Sequence, residues 1–337
     1  MIREAIARVT SGGVLTLAEA EAAMGEIMDG TASPAQIAAL AVALRMRHET
    51  PDEVGGFALA MRRRGLRIKS ARSVVADTCG TGGDGRNTLN ISTGAALVLA
   101  GCGVAVAKHG NRAVSSSAGS ADVFAALGVR IDAPPDVAEK CLNENGLAFC
   151  FAPVFHPAMK NAAGPRKEMG IYTLFNLLGP LTNPAGANVQ VIGVARRDLM
   201  DLEADALARL GTKRSLVVHS EDGLDELTTS GQTRAIEVRG HRRVRRFTLA
   251  ASSLGFRKAA LRDLEGGGPG ENAAALMKVL KGAKGAYRDV IIYNAGIMYW
   301  LAGRTRSPKE GVEAATRSLE SGAALSALEK LVEGTAL

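Results

Sequence analysis

Apolar residues recur at helical spacing through the first sixty-odd positions and then give way to short apolar runs separated by helix-compatible stretches. In the first region Ile37, Leu40, Ala41 and Leu44 form a stripe of three- and four-residue steps. Three helix starts are written as capping boxes: Thr16 with Glu19, Ser33 with Gln36, and Thr50 with Glu53. Pro34 and Pro51 take the first helical position, where the missing N–H costs nothing. The stripe suits a core or a dimer contact better than a ligand site. Arg62 to Ser73 turns basic and polar and reads as a linker.

From Val74 onward strand and helix alternate. Strand candidates are Val74 to Ala76, Val104 to Ala107, Leu147 to Phe151, Val189 to Val194 and Leu216 to Val218, with Asp122 to Leu127 among the helices between them. His156 to Leu178 interrupts the alternation with helix-like sequence and breaks at Gly179-Pro180 and Asn183-Pro184. From Asn272 the tail reads as three or so helices, including Tyr287 to Ala302 and Lys309 to Ser321. The predicted class is α/β: a small helical N-terminal domain plus a larger domain with a mostly parallel central sheet flanked by helices. The expected boundaries are 1–70 for the helical domain, with 156–178 returning to it, and 71–155 with 179–337 for the α/β domain.

Composition narrows the partners. A chain of 337 residues exceeds the usual single core, which agrees with two domains. Lys and Arg exceed Asp and Glu by 41 to 34, and part of the excess sits in Met61 to Arg72 and Arg239 to Arg246. Nucleic acid is a weak partner for this chain, because only 4% of residues are aromatic and stacking platforms are scarce. Cys79, Cys102, Cys141 and Cys150 show no paired spacing and lie in or beside apolar segments, which points to reduced thiols. No signal peptide opens the sequence and no apolar stretch reaches membrane-spanning length. The expectation is a cytoplasmic protein with no membrane partner.

The chemistry is concentrated in three loops. The run Gly80 to Gly85 (GTGGDG) links a β-like stub to the helix-compatible Thr93 to Ala100. Glycines let backbone N–H groups approach an anion closely, and the helix N-terminus adds partial positive charge. The run also fits a dinucleotide-binding fingerprint, but that reading requires an acidic residue about 20 positions on. From Arg86 through Ala121 there is none. The P-loop reading fails as well, because no Gly-Lys-Ser/Thr closes the loop. The segment offers instead Arg86, Lys108, His109 and Arg112, with hydroxyls at Thr88, Ser92, Thr93, Ser115, Ser116, Ser117 and Ser120. Such a lining suits a polyphosphorylated sugar. In the third loop, Glu221, Asp222, Asp225 and Glu226 follow a short apolar strand. A solvated acidic turn is one reading; beside a phosphate cradle, Mg²⁺ bridging carboxylates to substrate phosphates is the better one.

Six segments in order give the chain a resemblance to the anthranilate phosphoribosyltransferase family. They are DTCGTGGDGRNTLNIST from Asp77, KHGNRAVSS from Lys108, GSADV from Gly119, HPAMKNAAGPRKEMG from His156, FNLLGPLTNPA from Phe175 and EDGLDE from Glu221. The resemblance implies the nucleoside-phosphorylase class III architecture, a cleft between the domains, and a homodimer through the helical domains. It assigns Gly80, Gly82, Gly83, Asp84, Thr88, Asn90, Ser92, Thr93, Lys108 and the loop Ser116, Ser117, Ala118, Gly119 and Ser120 to 5-phosphoribosyl 1-diphosphate. Mg²⁺ falls to Ser92, Asp225 and Glu226. Anthranilate falls to Gly80, His109, Asn111, Arg166, Gly179 and Pro180, with Arg166 as a planar fork for the carboxylate. Lys108 and His109 are the expected catalytic residues.

Two positions depart from the family pattern. Ser117-Ala118 stands where Lys-Ser is frequent, and Tyr172 where Arg is common. The implied reaction is displacement of diphosphate by the anthranilate amine, in the second step of tryptophan biosynthesis. A nucleoside phosphorylase of the same architecture is the enzymatic alternative. A non-catalytic homologue binding nucleic acid through Arg239, Arg242, Arg243, Arg245 and Arg246 is the other.

Overall fold

The computed structural model describes residues 1–113 and 117–336. Its N-terminal bundle consists of α1 (Ile2–Thr10), α2 (Leu17–Met28), α3 (Pro34–Arg47) and α4 (Pro51–Arg64). All three capping boxes are present at the starts of α2, α3 and α4. Each satisfies two otherwise orphaned backbone donors at a helix start, an interaction of about 1 kcal/mol. The expected linker starts later than Arg62: Arg62, Arg63 and Arg64 form the last turn of α4, where cations suit the negative end of the helix dipole.

The sheet is seven-stranded among the described residues, in the order β3-β2-β1-β4-β5-β6-β7. Strands β1 (Val75–Gly80), β2 (Ala105–Gly110), β3 (Leu147–Phe151), β4 (Val189–Gly193) and β5 (Thr212–Ser220) run parallel. β6 (Gln232–Gly240) and β7 (Arg242–Ala250) complete it as an antiparallel hairpin, which incorporates the basic run into an edge. Helices α5 (Ile91–Gly101), α6 (Ser120–Ala126) and α7 (Pro135–Lys140) connect the first strands. α8 (Ala152–Phe155), α9 (Lys160–Met169) and α10 (Leu178–Leu181) fill the interruption after β3, and α11 (Met200–Leu210) precedes β5. The tail forms four helices, α12 (Pro269–Leu280), α13 (Ala286–Leu301), α14 (Pro308–Glu320) and α15 (Ala323–Thr335).

Strand alternation sends successive side chains into different cores. Ala76 and Val106 share a core with α5 and α13, whereas Val75, Ala105 and Ala107 pack with Ala138 of α7 on the other face. Ala162 of α9, with Leu174 and Phe175, is buried in the same core as the N-terminal helices. Asn161 Nδ2 donates to Ile27 O and Met28 O at 3.2 and 3.1 Å, tying α9 to the end of α2. β1 lies between β2 and β4, so the chain leaves its C-terminal end at the point where connections diverge to opposite sides. In open α/β sheets that crevice is the ligand position. Among the described residues no helix is long and apolar enough to cross a membrane.

Candidate active site

The glycine run leaves β1 at Gly80 and closes against the acidic loop. Gly82, Gly83 and Gly85 have φ of 68°, 84° and 66°, the left-handed region that glycine enters without strain. The Gly82 N–H donates to Asp225 Oδ2 at 2.9 Å. A Cβ on Gly80 would overlap the Asp225 carboxylate, and one on Gly193 would overlap the Asp225 carbonyl oxygen. The two glycines therefore permit Asp225 to lie against the ends of β1 and β4. Glu226 follows and accepts from the Ser92 N–H at 3.2 Å, in the first turn of α5.

Lys108 is the cation of this side. It is 2% exposed, and its Nζ donates to Thr78 O at 2.6 Å and to Ser92 Oγ at 3.3 Å. Three carboxyls share its environment. Burial raises Asp77 to about 6 and Glu226 to about 7, against the opposing pull of Lys108. Burial also raises Asp225 well above the usual carboxylate range, and Asp84 and Glu226 add to the rise. An acidic pair desolvated to this degree is one a divalent cation would relieve. Both side chains are half-buried, so the solvated acidic turn, the other reading of this loop, does not describe these two residues. The other two acids of that loop turn away: Glu221 pairs with Arg234 at 3.6 Å, and Asp222 accepts from Thr228 Oγ1 at 2.6 Å. Among the described residues no three His, Cys, Asp or Glu side chains form a metal cage by themselves. Ser92, Asp225 and Glu226 thus offer an open, oxygen-rich edge, the donor set that Mg²⁺ completes with water and phosphate.

Across the sheet, His109 faces the opposite side. Its Nδ1 lies 3.0 Å from Gly179 O, which assigns the proton to Nδ1 and leaves the buried Nε2 a lone-pair acceptor without a partner among the described residues. Burial, reinforced by His156, lowers its pKa to about 3. The two imidazole centroids are 5.2 Å apart. Arg166 on α9 stands 5.5 Å over the Phe175 ring and has no salt bridge among the described residues. A half-buried, unpaired guanidinium beside a hydrophobic ring suits an aromatic carboxylate.

Several expected ligand residues serve the scaffold as well. Asn90 Nδ2 donates to Ala118 O at 3.1 Å, while Asn90 Oδ1 accepts from Asn272 at 2.9 Å and Asn90 O from the Tyr287 hydroxyl at 3.3 Å. Its amide is occupied in bracing the cradle. Thr93 is fully buried with its hydroxyl unpartnered, and Thr88 pairs in a bridge with Glu265. Asp84 Oδ1 caps the Arg86 N–H at 3.1 Å. Asn111 Oδ1 accepts from the Arg112 N–H at 2.8 Å. Ser117 N donates to Asn87 Oδ1 at 3.2 Å; Gly119 N donates to Asp122 Oδ2 at 3.0 Å, and Ser120 begins α6. Ser116, like Ser115, lies outside the described residues. Gly179 and Pro180 sit in α10, below His109.

The sequence reading missed the support beneath these groups. Asp77 accepts from the His109 N–H at 3.2 Å and from Asn183 Nδ2 at 2.8 Å. An acid inside an apolar strand was its only signal. Tyr172, the departure from the family pattern, lays its ring against the glycine loop: a Cβ on Gly83 would touch it at 3.7 Å.

Two family models match the chain, the glycosyl transferase family helical bundle domain over residues 3–65 and the glycosyl transferase family a/b domain over residues 72–325. The sequence is 52% identical to an anthranilate phosphoribosyltransferase of Pelotomaculum thermopropionicum, covering 99% of this chain and 97% of that one. It is 51% identical to the enzyme of that name from Moorella thermoacetica, over 98% of both chains. The crystal structure of anthranilate phosphoribosyltransferase from Thermus thermophilus superposes with a TM-score of 0.93 at 46% identity, covering 99% of each chain. The Saccharomyces cerevisiae enzyme in complex with PRPP and Mg superposes with a TM-score of 0.92 at 28% identity, covering 99% and 98%.

Proposed function

Since the chain belongs to the anthranilate phosphoribosyltransferase family, within the glycosyl transferase fold defined by its two domains, we infer that it transfers the 5-phosphoribosyl group of 5-phosphoribosyl 1-diphosphate to the amine of anthranilate. The products are N-(5-phospho-β-D-ribosyl)anthranilate and diphosphate. The observation that carries this reading is the placement of a glycine cradle with a buried lysine and an acidic pair on one side of β2, and of an unpaired arginine with a lone-pair imidazole on the other.

In this reading the amine lone pair attacks C1 of the ribose, the C1–O bond to diphosphate breaks with its electron pair on the diphosphate, and the amine releases one proton to solvent. The developing charge lies on the departing diphosphate. Lys108 and the N–H groups of the glycine run stabilise it from fixed positions, the kind of preorganised electrostatics that contributes most to such steps. Ser92, Asp225 and Glu226 would hold Mg²⁺, which supplies charge neutralisation on the diphosphate oxygens. Arg166 orients the anthranilate carboxylate, and the Gly179-Pro180 turn bears on its ring. Neutral His109 accepts a hydrogen bond from the amine through Nε2, which orients the lone pair; with a pKa near 3 it is too weak a base to hold the proton.

The same reading assigns residues 1–70 and 156–178 to a helical domain that covers the α/β domain, an arrangement supported by the shared core of Ala162 and Phe175 with the bundle. It also makes the protein a homodimer through the helical domain, supported by the exposed apolar Met46 (78%) and Val14 (54%). Anthranilate consumption matched by diphosphate release, in the presence of 5-phosphoribosyl 1-diphosphate and Mg²⁺, tests the activity. Diphosphate release that ignores anthranilate, or phosphorolysis of a nucleoside, would overturn it.

A further inference from the structure

Five successive carbonyl oxygens, from Leu178 to Thr182, are each captured by a side chain. Leu178 O accepts from Thr182 Oγ1 at 2.8 Å, Gly179 O from His109 Nδ1 at 3.0 Å, and Pro180 O from Gln190 Nε2 at 2.8 Å. Leu181 O accepts from Arg62 Nε at 2.6 Å, and Thr182 O lies 3.0 Å from His156 Nε2. Short helical turns do not form this ladder themselves. α10 has four residues, so its own support is slight: Gly179 O accepts weakly from the Thr182 N–H at 3.3 Å and from Thr182 Oγ1 at 3.2 Å, and Pro180 has no N–H to offer. Left alone, such a turn frays. Here its donors come from β2, β4, the segment after β3, and α4 of the bundle.

Arg62 is the donor that crosses from the bundle. Its guanidinium is half-buried, has no salt bridge among the described residues, and is directed at a single carbonyl. The same end of α4 meets the turn again at Gly65, where a Cβ would stand 2.7 Å from His156 Nδ1. We propose that Arg62 is a positioning residue for the acceptor half of the site: it fixes the Gly179-Pro180 turn, and through Gly179 O the tautomer and tilt of the His109 ring, to the helical bundle. The proposal rests on the reading of that turn and of His109 as the surface that receives the aromatic amine. A charge-assisted donor is suited to the task, because it is stronger than a neutral one and holds its carbonyl in one direction.

Steady-state kinetics of Arg62→Met and Arg62→Lys, with direct calorimetric binding of 5-phosphoribosyl 1-diphosphate and Mg²⁺, test the assignment. Arg62→Met keeps the apolar stem and removes the donor. The anthranilate KM should rise about tenfold, equivalent to about 1.4 kcal/mol, while the phosphoribosyl diphosphate Kd stays within about twofold. Arg62→Lys, which retains a charged donor, should recover most of the loss. Equal weakening of both substrates, or an unchanged anthranilate KM, would overturn the proposal. Should Arg62→Met fail to fold, Gln190→Met removes the Pro180 donor from within the sheet and carries the same expectation. If the parent protein bound phosphoribosyl diphosphate but never used anthranilate, the activity reading would fail on its own account. The ¹⁵N signals of the His109 ring then decide: a fixed Nδ1–H tautomer in the parent that becomes mixed in Arg62→Met supports the positioning role, and an unchanged pair of signals rejects it.

Discussion

Lys108 and His109 are adjacent on β2 and point to opposite faces of the sheet, Lys108 to Ser92 at the start of α5 and His109 to Gly179 of α10. One peptide unit thus divides the site into a phosphate half and an acceptor half. The two residues cannot act as a proton-relay pair, and substitutions at them should separate. Lys108→Met should lower kcat/KM for phosphoribosyl diphosphate by about 10²–10³, the range for removal of one preorganised transition-state donor. It also leaves Asp77 and Glu226 without their opposing charge. The thermal stability deficit should therefore be larger at pH 8, where both are ionised, than at pH 6, where they can protonate. A deficit independent of pH would disprove the charge relationship.

Magnesium should compete with protons in a definite window. Glu226 titrates at about 7 in the folded protein, raised from a carboxylate value of 4.5. A raised acid makes ionisation a cost to the fold: the cost is fully present above about pH 7 and falls away as pH drops toward the unfolded value. The Mg²⁺-free protein should accordingly gain stability from this group between pH 8 and pH 6. At pH 6 one proton on Glu226 should raise the Mg²⁺ half-saturation about tenfold relative to pH 8. Asp225→Asn with Glu226→Gln should flatten that dependence, as read by Mg²⁺-dependent melting.

Gly80 and Gly193 owe their identity to Asp225 and not to backbone conformation, since neither is among the glycines with positive φ. In Gly80→Ala the new methyl meets a carboxylate that can swing aside. The expected outcome is a folded protein with Mg²⁺ half-saturation raised tenfold or more. In Gly193→Ala the methyl meets the Asp225 backbone, so melting temperature and Mg²⁺ response should fall together. Identical behaviour of the two variants would argue against this distinction.

What was legible in the sequence was local. Thr16, Ser33 and Thr50 announce their helices because a capping box is closed within four residues, and the apolar stubs of β1 to β5 announce a parallel sheet because both faces are covered. The glycine run was legible for the same reason. The hairpin β6–β7 was not, because alternating Arg on an edge resembles a solvated charge run. Arg62, Asn183 and Asn272 were equally hidden: they meet their partners across 119, 106 and 182 positions respectively, and nothing near them in sequence records the contact.

Arg166 separates affinity for the acceptor from the phosphate half. Burial lowers its pKa, and because a guanidinium keeps its charge in proteins, Arg166 is a cation held in poorly solvated surroundings. Arg166→Ala should raise the anthranilate KM by a factor of ten or more and abolish the preference for anthranilate over aniline, which has no carboxylate. Phosphoribosyl diphosphate binding should be unchanged. Arg166→Lys should recover little, because an ammonium cannot form the bidentate fork.

The basic edge strand should matter for stability and not for catalysis. Glu237 is fully buried, and although burial alone would raise its pKa, Arg214, Arg245 and Arg239 at 2.7, 2.8 and 2.6 Å hold it down to about 2. Arg243 and Arg246 both pair with Asp201 on α11. Arg242, by contrast, is exposed with no ion pair among the described residues. A depressed carboxylate contributes stability that is present above its unfolded value of 4.5 and is lost as pH falls through about 2. Arg245→Ser should therefore lower the melting temperature at pH 7 by about 1–2 °C, the shift that follows about 1 kcal/mol in a protein of this size, and should move acid unfolding to higher pH. Arg242→Ser should do neither. Both variants should retain the parent kcat, since the strand lies at the sheet edge beyond β5 and β6. Any affinity of the parent for duplex DNA should fall steeply with salt through counterion release. Tight duplex binding at physiological salt, lost in Arg242→Ser, would give this strand a role that its ion pairs do not predict.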